Sequence, residues 1–230
     1  MKRKFLTAAI STAVLALGAA GAKATILTET VGPTLFNNGG SNYAAGIGGS
    51  FNFPEFDPSL GVLLSVQLTV QGNSFGGSNG LHNFAANAGL ANVSIGSKIT
   101  VTGPSALVVL TDPNQTVNGA VTAYTGNSTF DFTGSDALYV SGTSSTDTES
   151  STLLSSFAPY EGLGNVTFNF TSSVDTSSNA TVSPEITSST ATTYNFTPTV
   201  VYTYSVPEPG SLALLGLGSA STLLRRRRRA

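Results

Sequence analysis

The chain has 230 residues, no cysteine or tryptophan, one histidine, and a formal net charge of −2 that hides a strong segregation. Four of the ten basic residues lie at or before Lys23 and five form the run Arg225–Arg229, so the interior keeps Lys98 alone against eleven acids, a net charge of −10. That balance cannot neutralise phosphates, which excludes nucleic acid as a partner, and the lack of cysteine excludes disulfides, thiolate chemistry and cysteine-based metal sites.

Met1–Lys4 is a short basic segment, Phe5–Leu17 an apolar stretch of thirteen residues, and two Ala-x-Ala sites follow at Ala20–Ala22 and Ala22–Ala24. This is the pattern of a secretory signal over residues 1–24, handled by the Sec export machinery and cleaved after Ala24, with Ala22 and Ala24 at the site. Thirteen apolar residues are short for a membrane span. About 180 residues follow before the tail, enough for one domain (25–205) with an ordinary core.

Period-two alternation dominates that domain, the mark of half-buried strands. Val62, Leu64, Val66, Leu68 and Val70 alternate with Leu63, Ser65, Gln67, Thr69 and Gln71. Val93, Ile95, Ile99 and Val101 share a face opposite polar residues, and Val166, Phe168 and Phe170 alternate with polar residues in the same way. Tyr194, Phe196, Val200, Tyr202 and Tyr204 form a longer run interrupted by Pro198, which predicts an edge strand or a bulge. Weaker strands are expected at 25–31, 106–110, 117–124, 129–132, 137–140 and 180–186, while Ser141–Ser156 and Ser172–Thr193 read as loose, polar surface segments. Gly/Asn-rich turns between strands predict an all-β fold, an antiparallel β-sandwich. The pentamers Thr129–Thr133, Thr167–Thr171 and Thr193–Thr197 share aromatics at i and i+2 without a constant spacing. Core-facing strands are the expectation, and an aromatic platform for sugars is the alternative.

Residues able to carry chemistry are few. His82 has no second histidine or cysteine to share a metal and no Gly-x-Ser-x-Gly nucleophile, so it is expected to be an ordinary loop or strand-edge residue. Glu55 with Asp57, Asp131 with Asp136, and Glu149 with Glu161 are the carboxylate pairs to weigh for glycoside hydrolysis. Neither an EF-hand nor a nonapeptide calcium repeat is present. Seven Asn-x-Ser/Thr sequons begin at Asn92, Asn114, Asn127, Asn165, Asn169, Asn179 and Asn195, and they mean glycosylation only in a host with the transferase. No enzyme, cofactor or metal is expected.

The tail, 206–230, holds Val206-Pro207-Glu208-Pro209, then fifteen uncharged residues from Gly210 to Leu224, then Arg225, Arg226, Arg227, Arg228 and Arg229. The apolar stretch is short for a full transmembrane helix, but snorkelling of the first arginine and local thinning extend its reach, and the basic run sets the cytoplasmic side. In that order, the tail resembles the PEP-CTERM sorting signal of Gram-negative bacteria. The resemblance implies recognition by an exosortase, processing near Pro207-Glu208-Pro209, and a surface or matrix protein of an exopolysaccharide-producing cell. Phe53-Pro54-Glu55-Phe56-Asp57-Pro58-Ser59-Leu60-Gly61 with its following strand resembles the choice-of-anchor E domain, a β-rich body with no assigned activity. Taken on its own residues, Asp57-Pro58-Ser59 is a turn that launches a strand. The expected function is a structural or interaction protein of the cell envelope or biofilm matrix, with a displayed carbohydrate-binding module for the cell's own exopolysaccharide as the alternative.

Overall fold

The fold, taken from a computed structural model of the chain, is described for residues 24–37, 42–126, 132, 134–141 and 144–206. The signal segment up to Lys23, the tail beyond Val206, the sequon residue Asn127, and Asp131 with most of the strand expected at 129–132 lie outside the described residues. Thirteen strands follow in order: β1 (Thr25–Val31), β2 (Tyr43–Ala44), β3 (Gly49–Pro54), β4 (Val62–Phe75), β5 (Ser78–Asn83), β6 (Gly89–Thr102), β7 (Val108–Thr111), β8 (Asn114–Val121), β9 (Ala137–Ser141), β10 (Ser145–Leu153), β11 (Asn165–Ala180), β12 (Glu185–Thr190) and β13 (Thr193–Val206). They form three antiparallel sheets: β1-β13-β4-β10 with β2 also on β13, β3-β11-β6-β7 with β8 also on β6, and β12-β5-β9.

The first and third sheets are two parts of one bent layer. β4 passes into β5 through Gly76 and Gly77, whose φ values of 65° and 73° suit glycine. β12 passes into β13 through Ala191-Thr192, and β9 stops at Ser141 shortly before β10 begins at Ser145. The long strands β6 and β11 cross this seam unbroken. Along β6, Ile99 and Val101 enter the core shared with the first sheet, while Ala91, Val93 and Ile95 enter the core shared with the third. Ser97 sits between the two sets, where its hydroxyl lies 3.2 Å from that of Ser74 and 2.6 Å from that of Thr192. Thr192 in turn donates to the Gly96 carbonyl at 3.1 Å. Buried hydroxyls at the seam thus satisfy one another.

The strands follow from alternation. Leu63, Val66, Leu68 and Val70 of β4 pack with Tyr194, Phe196, Val200 and Tyr202 of β13 against Phe51, Phe53, Val166, Phe168 and Phe170 of the facing sheet. Each such side chain contributes about 1.5–3 kcal/mol by leaving water. The pentamer aromatics Phe168, Phe170, Tyr194 and Phe196 are all core, whereas Phe132 lies outside any strand and stacks on Tyr139 at 5.1 Å.

Two expectations are corrected and a third is narrowed. Ser141–Ser156 is not loose: most of it is β10, paired with β4 from Ser145↔Ser74 to Leu153↔Val66. Most of Ser172–Thr193 is likewise strand, since β11 continues to Ala180 along β6 and β12 pairs β5, with the chain turning at 181–184 where a strand was expected. Pro198 marks no bulge, since the irregularity falls at Thr203/Tyr204, but it does sit on a locally open edge of β13, which β1 pairs only from Val200 onward and β2 only at Thr193 and Tyr194. The Pro198 carbonyl accepts from Thr34 N–H at 3.4 Å on the side where β1 has ended and β2 has not begun. In an antiparallel strand the N–H and C=O of a residue point to the same side, so the missing N–H falls in this gap and costs no ladder bond.

Candidate functional site at the tail exit

β13 ends at Val206, one residue before Pro207, and its register pairs Val206 with Thr25. Thr25 follows Ala24, the residue at the expected signal cleavage site. The two segments read as processing sites therefore leave the domain side by side. Pro207 also disfavours helical backbone at Val206, consistent with strand running up to the motif.

The exit is held on several sides. β1 pairs seven residues of β13, from Val31↔Val200 to Thr25↔Val206, and β4 pairs the other flank. Underneath lies the Phe53–Gly61 segment. Asp57 accepts the Ser59 N–H at 2.8 Å and caps a short 3-10 turn at Pro58–Leu60, the turn expected there, and β4 starts at Val62. That bond holds the Asp57 carboxyl below its usual range. A Cβ on Gly61 would collide with the Ser205 carbonyl oxygen, so glycine permits the close approach. Phe56 is fully buried, with ring centroids 6.0 Å from Tyr202 and 5.0 Å from Tyr204. The Tyr202 hydroxyl donates to the Pro54 carbonyl at 2.9 Å, and burial pushes its phenol up. The tail leaves from a fixed point on a central strand.

Of the candidate carboxylate pairs, Glu55 with Asp57 and Glu149 with Glu161 do not face each other across a cleft, and the pair of Asp131 with Asp136 falls partly outside the described residues. Glu55 accepts the Gly164 N–H at 3.0 Å, so both it and Asp57 serve local backbone. Glu149 opposes Val70 midway along β10, whereas Glu161 bridges Phe56 beside the tail exit. Asp136 is separated from that exit by the seam: it lies beside β5, where its carboxylate accepts the Thr125 hydroxyl at 2.8 Å and the Thr125 N–H at 3.1 Å. Led by the Thr125 hydroxyl, these bonds lower its pKa to about 2 against burial.

His82 is neither a loop nor a strand-edge residue. It lies in β5, the middle strand of its sheet, buried, with Nε2 3.3 Å from Asp136 Oδ2 and its ring 4.6 Å from that of Phe84. A further acid pair had no sequence signal. Asp112 and Asp175 flank β6, whose Gly96 is registered with both Asn114 and Asp175. Burial first, then the Asp175 carboxyl, raises the pKa of Asp112, with Lys98 opposing. Among the described residues no group of three or more histidines or acids gathers as a metal centre. The sequons have a local explanation. In Asn92-x-Ser94, Asn114-x-Thr116, Asn165-x-Thr167, Asn169-x-Thr171 and Asn195-x-Thr197 both polar residues lie on the outward side of one strand, so period-two alternation itself writes the motif.

Residues 205–229 match the family model described as the PEP-CTERM protein-sorting motif, a span that contains both the Pro-Glu-Pro segment and the arginine run. This motif implies a surface-sorted protein processed by an exosortase and exported to the cell envelope. No curated protein matches the chain. Among solved structures it is similar to a chain of T=1 particles derived from infectious bursal virus, at 13% identity over 90% of this chain and 48% of that one, with a TM-score of 0.21. The VP2 subviral particle of infectious bursal disease virus is similar at 12% identity over 90% and 49%, with a TM-score of 0.20. The chain spans about half the length of those relatives, and overlaps this loose carry no argument.

Proposed function

We propose that the domain is a structural or interaction protein of the cell envelope or exopolysaccharide matrix of a Gram-negative bacterium, not an enzyme, held in the membrane by its tail until an exosortase processes it. The exit geometry supports this most directly. The Pro-Glu-Pro segment begins one residue past the last strand pair, so cleavage within Pro207–Pro209 removes no residue from the sheet. The released domain keeps every pairing of β13. Intact mass and terminal peptides of the protein isolated from its host test the proposal: the expected product starts at Thr25 and ends near Pro207–Pro209. A chain still ending in Arg225–Ala230 would refute processing.

A surface carbohydrate-binding module is a second reading, favoured by the outer face of the first sheet. Opposite the core, Thr28, Thr203 and Ser65 form one cross-strand row; Thr30, Val201, Gln67 and Thr152 the next; then Thr199, Thr69 and Ser150; then Thr197, Gln71 and Thr148; then Asn195, Asn73 and Thr146. No charged residue interrupts these rows, although the domain is strongly acidic. Recognition would rest on hydroxyl and amide hydrogen bonds to a neutral polysaccharide, since the aromatic rows needed for stacking face the core. Retention in affinity electrophoresis on the host's own exopolysaccharide tests it, and unchanged mobility counts against it.

A further inference from the structure

The starts of β1, β4 and β11 and the ends of β3, β10 and β13 meet at one end of the sandwich, the end from which the tail leaves. Seven of the fifteen exposed large hydrophobics among the described residues cluster there: Ile26, Leu27, Leu60, Val62, Leu64, Leu154 and Leu163. The far end offers Leu90 and Ile186. Leu163 is 87% exposed, Leu154 74% and Ile26 65%, and they come from separate segments of the chain. Ile26 and Val62 both oppose Ser205, which joins them across β13 beside the exit. Convergence of exposed apolar side chains from several elements marks a contact surface rather than scatter.

We infer that this apolar rim is a membrane-docking surface that rests on a bilayer of neutral headgroups while the tail is inserted. The inference rests on reading Gly210–Leu224 as the membrane-inserted part of the tail. Only Pro207–Pro209 separates that segment from Val206, so insertion brings the exit end against the lipid. Apolar side chains at such a boundary enter the headgroup region and orient the body they belong to. The acids at this end, Glu55, Asp57 and Glu161, favour zwitterionic over anionic lipid, and Lys98 is the one lysine or arginine among the described residues. Docked this way, the domain stands with its Thr/Gln/Asn face clear of the membrane and with Pro207–Pro209 at the bilayer surface, within reach of a membrane peptidase.

Because the chain has no cysteine, single probes are clean. The full chain carrying Leu163→Cys or, at the far end, Leu90→Cys is labelled with a fluorophore, reconstituted into phosphatidylcholine vesicles, floated, and quenched with nitroxide-labelled lipid. The rim probe is expected to be quenched about three-fold more than the far probe. Adding Ile26→Ser, Val62→Ser and Leu154→Ser, with thermal unfolding checked to be unchanged, leaves the tether intact and should lower rim quenching about two-fold. Flotation with equal quenching at the two ends, or with rim quenching unaffected by the serines, overturns docking while the tail reading stands. Failure to float overturns both. Rim probes that stay unquenched but cross-link between copies assign the rim to a second copy of the chain and overturn the lipid assignment.

Discussion

The two halves of the sandwich solve the same packing problem with different chemistry. Next to the tail exit, the core holds Phe51, Phe53, Phe56, Phe168, Phe170, Phe196, Tyr160, Tyr194 and Tyr202. Beyond the seam the buried hydrophobic cluster among the described residues shrinks to Leu81, Ala91, Val93, Ile95, Val121 and Val140, the rings of His82, Phe84 and Tyr124 pack separately, and buried polar residues stand alongside. There Asn79 Nδ2 donates to the carbonyls of Ser94 and Ser177 at 2.7 and 2.8 Å, tying β5 to both long strands of the facing sheet. Asn83 Nδ2 donates to the carbonyls of Asn87 and Thr122, and its Oδ1 accepts from Ala85 N–H. Where apolar volume is scarce, directional bonds hold the layers. An aromatic core responds to loss of volume, and an amide staple responds to loss of a donor whatever fills the space.

The largest effect is expected in the aromatic half. Phe168 stacks on Phe51 at 5.5 Å and touches Phe53 and Tyr160. Phe168→Ala should cost about 3–5 kcal/mol in urea unfolding, and Phe168→Leu much less, because volume is what matters there. In the other half Asn79→Ala removes both bonds from β5 to the Ser94 and Ser177 carbonyls and should cost about 1–3 kcal/mol. Asn79→Leu restores volume but should not rescue it, and faster hydrogen exchange should be confined to β5, β9 and β12. A rescue by leucine would break the contrast between the halves.

Asp136 sharpens the contrast through pH. Its pKa falls from 3.8 in the unfolded chain to about 2 in the fold, first because the Thr125 hydroxyl donates to it. A depressed carboxyl contributes its stability fully above the unfolded value and loses it as pH falls toward the folded one. Unfolding midpoints should therefore drop between about pH 4 and pH 2, by on the order of 1 kcal/mol after solvent screening. Asp136→Asn should flatten that part of the profile; an unchanged slope would remove Asp136 from the account. Tyr160 works in the opposite direction in the aromatic half. Burial raises its phenol to about 12, so its contribution is complete below pH 10 and fades as pH rises from 10 to about 12. Tyr160→Phe also loses the 2.7 Å bond to the Pro104 carbonyl, and should cost about 1 kcal/mol at neutral pH by urea unfolding.

The same division decides what the sequence could reveal. Strands with an apolar side, such as Val66–Val70 or Val166–Phe170, announce themselves by period two, because burial on one face writes the pattern. At the start of β4 the register shift opposite Thr203/Tyr204 turns Leu63 inward and leaves Val62 and Leu64, expected on the core side, exposed. β10 and β12 sit at sheet margins with little or nothing buried, and the far half of β11 is almost as exposed. Backbone ladders to β4, β5 and β6 hold them, so hydropathy carries no trace, and only the β-propensity of threonine hinted at strand. The pairing of His82 with Asp136, and of Asp112 with Asp175, depends on long-range register and is equally silent. At the tail the residues state their role in order: Pro-Glu-Pro, apolar stretch, arginine run. Its exit beside Thr25 needed the β1↔β13 register.

The smallest stability effect belongs to the outer face of the first sheet, where polar groups lie away from both cores. Thr199 and Thr69 are direct cross-strand neighbours there. Replacing both with valine keeps shape and strand propensity while deleting two hydroxyls, so unfolding should shift by no more than about 0.5 kcal/mol. If this face meets a neutral polysaccharide, each lost hydrogen bond should weaken retention by about 1 kcal/mol, roughly five-fold. Affinity electrophoresis of the double variant beside the unmodified protein reads that difference directly. Retention lost with stability kept would assign these hydroxyls to recognition rather than folding. Unchanged retention by a domain that does bind would move the sugar contact elsewhere, and the uncharged rows would then be the solvated back of a sheet whose inner face alone is under constraint.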